Sequence, residues 1–135
     1  KFDIISIPFN LLDRRFEKSN VVKKLKNQNV KFYARSVFLQ GLLLMKSDKM
    51  PEYFKEWKKT FNSLENYSKK NHISKFHMCL SFALGSKLID KVVVGVNNFN
   101  QFRQIINYRL NHKKIYLPRF KKINYKIINP TLWRI

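Results

Sequence analysis

The chain has one cysteine, three glycines, four prolines and only eight acidic residues among 135. The lone Cys79 excludes an internal disulfide framework and fits a reducing, cytoplasmic compartment. It stands among Phe76, Leu80 and Phe82, the surroundings of a buried, inert thiol rather than of a nucleophile. No apolar run approaches the roughly 20 residues of a membrane helix, and no signal peptide is present. Neither a P-loop nor a G-x-G-x-x-G stretch occurs, so the common phosphate cradles are absent. His72, His77 and His112 stand at no ligand spacing from carboxylates or Cys79, which argues against a bound metal. No Ser-His-Asp arrangement is legible. Asp13, Glu17, Glu52 and Glu56 are expected on helix or loop surfaces, solvated, which leaves no convincing acid, base or nucleophile.

What is present is apolar and basic. Hydrophobic residues make up 44% of the chain and aromatics 15%, enough to build a core and to exclude disorder. The net charge is +20, and residues 91–135 hold ten Lys or Arg and no acid. Such a balance fits a nucleic-acid or anionic-surface partner. It fits equally a compositional bias, because Lys, Asn, Ile, Phe and Tyr, the residues of A/T-rich codons, crowd the whole sequence. The basic residues are spread through every segment and match no nucleic-acid motif, which favours the second explanation.

Hydrophobic spacing gives the elements. "DIISIP" (3–8) is a short apolar run closed by proline, consistent with a buried strand. The chain starts directly on this strand, as a piece of a longer protein would. "SNVVKKLKNQ" (19–28) sets Val21, Val22 and Leu25 on one helical face after a Ser19 or Asn20 cap. A strand over Val30–Arg35 follows at once, and the crossover length suits a parallel pair. Pro51 announces a helix with Tyr53, Phe54, Trp57, Phe61 and Leu64 facing the core. A second helix runs from Ser74 to a stop at Gly85. "KVVVGV" from Lys91 reads as the clearest buried strand. Asn97 or Asn98 then caps a helix that turns Phe99, Phe102, Ile105 and Ile106 inward. The tail from Asn111 is basic and irregular, broken by Pro118 and Pro130. This order predicts an α/β protein with a parallel sheet. Three strands leave two open edges and thin cover, which makes better sense as part of a larger barrel or doubly wound sheet.

In parallel α/β folds, ligands bind at the C-terminal strand ends. Those positions hold Phe9 and Asn10, then Arg35 and Ser36, then Gly95, Val96, Asn97 and Asn98. The last group opens a helix, where free N–H groups and the helix dipole suit a phosphate. Gly95 allows close backbone approach, and Gln101, one turn on, can hydrogen-bond a nucleotide. A capped turn with nothing bound is equally consistent with these residues.

Three stretches in order, "DIISIPFNLLDRRFE", "VKFYARSVFLQGLLL" and "DKVVVGVNNFNQF", resemble the C-terminal part of an aldo/keto reductase. The ending "INPTLW" is similar to members from bacterial surface-polysaccharide gene clusters. The resemblance implies strands six to eight of a (β/α)8 TIM barrel, incomplete as it stands, with 1–110 as βα units and 111–135 as a basic tail packed on them. It implies an NAD(P)H-dependent reduction of aldehydes or ketones, with NADPH, or NADH, as cofactor and a small, sugar-derived carbonyl compound as substrate. By the resemblance, Arg35 stands where a flat side chain stacks on the nicotinamide. Ser36, Phe38, Gln40 and Gly41 follow the pyrophosphate. Gly95, Val96 and Asn97 approach the adenosine ribose phosphate, with Gln101 and Gln104 beyond. Ser6 replaces a glutamine that holds the nicotinamide carboxamide, and Ile105 an asparagine at adenine; both departures bear on the choice between NADPH and NADH. The family's catalytic Asp, Tyr, Lys and His belong to the first four strands, which these residues do not include. The chain alone is therefore expected to lack reductase activity. The competing expectations are a basic nucleic-acid-binding module and a non-catalytic partial barrel that buries its open edges against a copy of itself.

Overall fold

A computed structural model describes residues 2–111, 117, 120 and 123–134, with 109–111 as backbone alone. His112 and Pro118 lie outside the described residues. Three parallel strands, β1 (Ile4–Pro8), β2 (Lys31–Arg35) and β3 (Lys91–Val92), form a sheet in chain order. Ser6 pairs with Tyr33 and Tyr33 with Lys91, while Ile7, Ala34 and Val92 form the adjacent row. Side chains alternate across a strand, so these rows face opposite sides. The Ile7, Phe32 and Ala34 side is buried in the core with Val22, Phe61, Leu64, Met78 and Cys79. The Ser6, Lys31, Arg35 and Lys91 side is exposed.

That asymmetry corrects two expectations. β1 and β3 are not buried strands: of β1 only Ile7 is buried, and Val93, just past β3, is 51% exposed. A parallel strand becomes buried on both faces only when a second layer or further strands cover it, and among the described residues neither β1 nor β3 has a second neighbour. The sequence "KVVVGV" carries the right residues for burial, and its surroundings decide otherwise.

The helices follow local rules more closely. Ser19 caps α1 (Asn20–Asn27) by accepting the Val22 N–H. Asn29, left-handed at φ 63°, ends it, with Asn29 N donating to Lys26 O and Val30 N to Leu25 O. This pair of hydrogen bonds returns the chain to the sheet. Of the expected face, Val22 is buried and Leu25 packed, whereas Val21 points outward. Pro51 precedes a 3-10 turn, Glu52–Trp57, that leads into α2 (Lys58–Lys70). Ser74 caps α3 (Lys75–Leu84) by accepting the His77 N–H. Cys79 is fully buried in α3, and desolvation pushes its thiol up to about 12, a poor nucleophile.

The helix α4 (Phe99–Asn111) departs from the expected facing, with only Ile105 of the four expected residues half-buried, against the groove. Phe99, Phe102 and Ile106 are 65%, 49% and 42% exposed; Tyr108 is the residue that turns inward, bonded to Ser81 of α3 at 2.6 Å. Burial pushes the Tyr108 phenol up. Among the described residues of the tail, α5 (Tyr125–Ile128) and a 3-10 turn, Pro130–Leu132, are ordered elements. Trp133 meets Phe54 edge-on at 4.9 Å and donates to Lys126 O and Ile127 O, both at 3.1 Å.

Candidate functional site

The site begins with the backbone that leaves β2. Ser36, Leu39, Gln40 and Gly41 all have left-handed φ, at 55°, 48°, 55° and 84°. For the three that are not glycine, such a backbone costs about 1–3 kcal/mol each. Val37, Leu39, Leu42 and Leu43 are buried in the core, and their packing holds the segment in this shape. Within it, Leu39 N donates to Ser36 O, Leu42 N to Leu39 O and Leu43 N to Phe38 O. These bonds close the segment into successive tight turns directly after β2. Backbone turns of this kind make concavities that attract anions.

Two contacts from the loop after β1 fix where the turn starts. Phe9 N donates to Arg35 O at 3.1 Å, and the Asn10 side-chain amide donates to Ser36 O at 3.0 Å. Asn10 is fully buried, and its Oδ1 accepts from Leu12 N and Asp13 N at 3.0 and 2.8 Å. Asp13, expected in solvent, is also fully buried and takes both arms of Arg15 at 2.8 Å. The carboxylate raises the Arg15 guanidinium further above its ordinary value, and that guanidinium lies 5.2 Å from the Tyr125 ring centre. Asp13 is buried because it closes an Asx-type turn begun by Asn10 instead of lying on a helix or loop surface.

The second wall comes from β3 and α4. Asp90 accepts from Phe32 N and from Lys26 Nζ, both at 2.7 Å; Lys26 holds its carboxyl below the usual carboxylate value. That anchor sets β3 beside β2. The chain then passes Gly95 and Val96 to Asn98, whose Oδ1 accepts from Gln101 N at 3.0 Å. Gln101 Oε1 in turn accepts from Asn97 N at 2.8 Å. These reciprocal bonds resemble a capping box, so Gln101 serves its own helix end as well as facing the cleft.

Between the two walls lies a groove of about 610 Å³, within the range of small-molecule sites. It brings together ten of the eleven expected positions: Arg35, Ser36, Phe38, Gln40, Gly41, Gly95, Val96, Asn97, Gln101 and Gln104. Ser6 stays apart, on the exposed side of β1 and two residues short of the level of Arg35. Arg35 is the one charged residue of the lining among the described residues, and its Nη1 reaches Ser36 Oγ at 3.4 Å.

Sequence reasoning missed Phe76, and it named Asn10 as a strand-end position without seeing its supporting role. Phe76 of α3 lines the groove and stacks on Phe38 at 5.5 Å with 19° between the rings; its contribution depends on tertiary approach and left no local signal. Asn10 gave a readable one, the Asn-x-x-Asp turn spacing directly after a strand.

Among the described residues no three His, Cys, Asp or Glu side chains cluster as a metal site would require, and no helix is long and apolar enough to cross a membrane. The sequence profile of the aldo/keto reductase family matches residues 1–123. No curated protein matches the chain.

Proposed function

The chain belongs to the aldo/keto reductase family, and from that premise we propose that its groove holds part of an extended nicotinamide dinucleotide for carbonyl reduction. The family implies a (β/α)8 barrel. On this reading β1, β2 and β3 are its sixth to eighth strands, residues 1–110 its βα units and 111–135 a tail packed on them. The exposed row of Ser6, Tyr33 and Lys91 would then face the barrel interior. The observation that carries the proposal is that ten positions, matched together by the family resemblance in two separate stretches of the chain, line one groove.

The roles are those the family resemblance implies, and the shape of the groove supports them. Arg35 offers a planar cation to the nicotinamide ring, the left-handed turn from Ser36 to Gly41 receives the pyrophosphate, and the N-terminus of α4 receives the adenosine ribose phosphate. Bound there, the dinucleotide would supply the hydride. These residues bind and orient it; none of them is placed to protonate a carbonyl. NADPH is preferred on the strength of the cationic groove and the helix end, with NADH as the alternative ligand. The basic nucleic-acid reading gains nothing from this site, whose lining contains a single cation among the described residues.

Calorimetric titration tests the proposal. NADPH should bind, Arg35→Ala should weaken it about tenfold, and NADPH consumption with a panel of aldehydes should stay at background for the isolated chain. No detectable NADPH or NADH binding at millimolar ligand would end this reading.

A further inference from the structure

We propose that Asn10 is the positioning residue of the groove, the group that sets the left-handed backbone at Ser36 and thereby aims Arg35 and the turn to Gly41. The proposal rests on the cofactor reading above for its binding consequence and on geometry alone for its structural one. Asn10 is fully buried, and it acts as a clip with two ends. At one end its Oδ1 is fixed by the N–H groups of Leu12 and Asp13, while its own N–H donates to Asp13 O at 3.2 Å. At the other, its amide nitrogen donates to Ser36 O, 26 residues away in the chain.

The neighbouring peptide is held as well, because Phe9 N donates to Arg35 O. Holding two successive carbonyls orients the peptide planes on both sides of Ser36, and so fixes its φ and ψ, the φ at 55°. Serine does not adopt that conformation without help. Ser36 O also accepts from Leu39 N, so the same oxygen joins the clip to the start of the strained turn. Asp13 extends the support through Arg15 to Tyr125. Asn10 does not line the groove, and its influence on a ligand passes through Ser36.

Two variants test this. Asn10→Ala removes both ends of the clip; Asn10→Asp keeps the acceptor for Leu12 and Asp13 and removes the donor to Ser36, and serves if the first does not fold. Amide hydrogen exchange should rise at least tenfold at Leu39, Leu42 and Leu43 while amides of α2 change less than threefold. Affinity for NADPH should fall at least tenfold, whereas adenosine 2′,5′-bisphosphate, which would meet only the α4 end, should keep its affinity within twofold. A uniform rise in exchange across the chain, or equal loss for both ligands, would reduce Asn10 to general stability and overturn the proposal. Unchanged exchange in the turn would also overturn it. Wild-type chain that binds neither ligand would refute the cofactor reading, and the exchange comparison would still decide the role of Asn10.

Discussion

The two walls of the groove are built on different principles. The turn after β2 is strained, anchored by buried Val37, Leu39 and Leu43, and clipped by Asn10 from the loop after β1. The segment after β3 is largely exposed, and its ordering comes from the side chains of Gln101 and Asn98, which accept from the backbone N–H groups of Asn97 and Gln101. The first wall is held by tertiary structure and the second by its own sequence. If the groove holds a dinucleotide as proposed, the wall held by tertiary contacts would face the reacting end, which requires tighter placement than the end that only anchors.

The contrast breaks down first at the core if it is wrong. Leu39→Ala should destabilise the chain by about 2–5 kcal/mol, as a buried leucine does, against less than about 0.5 kcal/mol for Val96→Ala, an exposed site. Urea unfolding of both variants gives the comparison. The glycines come next. A Cβ at Gly41 or at Gly95 meets no atom within 4 Å, so only backbone conformation separates them. Gly41→Ala should cost about 1–2 kcal/mol at its left-handed φ, whereas Gly95→Ala should be neutral or stabilising by about 0.4–1 kcal/mol. Equal effects would mean that the turn is no more constrained than its neighbour.

On the self-ordered wall, Asn98→Ala should cost about 1 kcal/mol through the lost cap, with helix loss by circular dichroism confined to α4. The smallest effect is pH-dependent. Asp90 has a lowered folded-state pKa, from the Lys26 bond first and the Phe32 N–H second. Its contribution to stability is therefore complete above the unfolded value of about 4, and is lost as pH falls through the folded value. Asp90→Asn should lower stability at neutral pH and flatten the acid limb of the stability curve. A limb of unchanged slope would remove Asp90 from the account of how β3 is held.

These differences also explain what could be read from the sequence. Caps and turns are local, so Ser19, Ser74, Asn98 and the polar cluster from Arg35 to Gly41 announce themselves in the primary structure. Burial is relational. Val93, Phe99, Phe102 and Ile106 have the pattern of core residues, yet they are exposed because the described residues provide nothing to cover them. Asp13 erred in the opposite direction: a carboxylate read as solvated became buried once Asn10 closed the turn around it and Arg15 paired with it. The family resemblance reached further than periodicity did, since it named positions distant in sequence that the fold brings to one groove.

The exposed side of the sheet has a consequence of another kind. Lys31, Arg35 and Lys91 project from it, with the Lys91 ammonium 5.6 Å from the Tyr33 ring centre, and both outer strands end without a neighbour among the described residues. Unpaired strand edges beside an open face invite stacking into aggregates. Two copies approaching face to face would meet lysine with lysine on molecules of net charge +20, and that repulsion reaches only about 10 Å in 0.1 M salt. For residues 1–135 on their own the basic composition would act as a colloidal guard, and added salt, which weakens it, should turn a dispersed solution turbid.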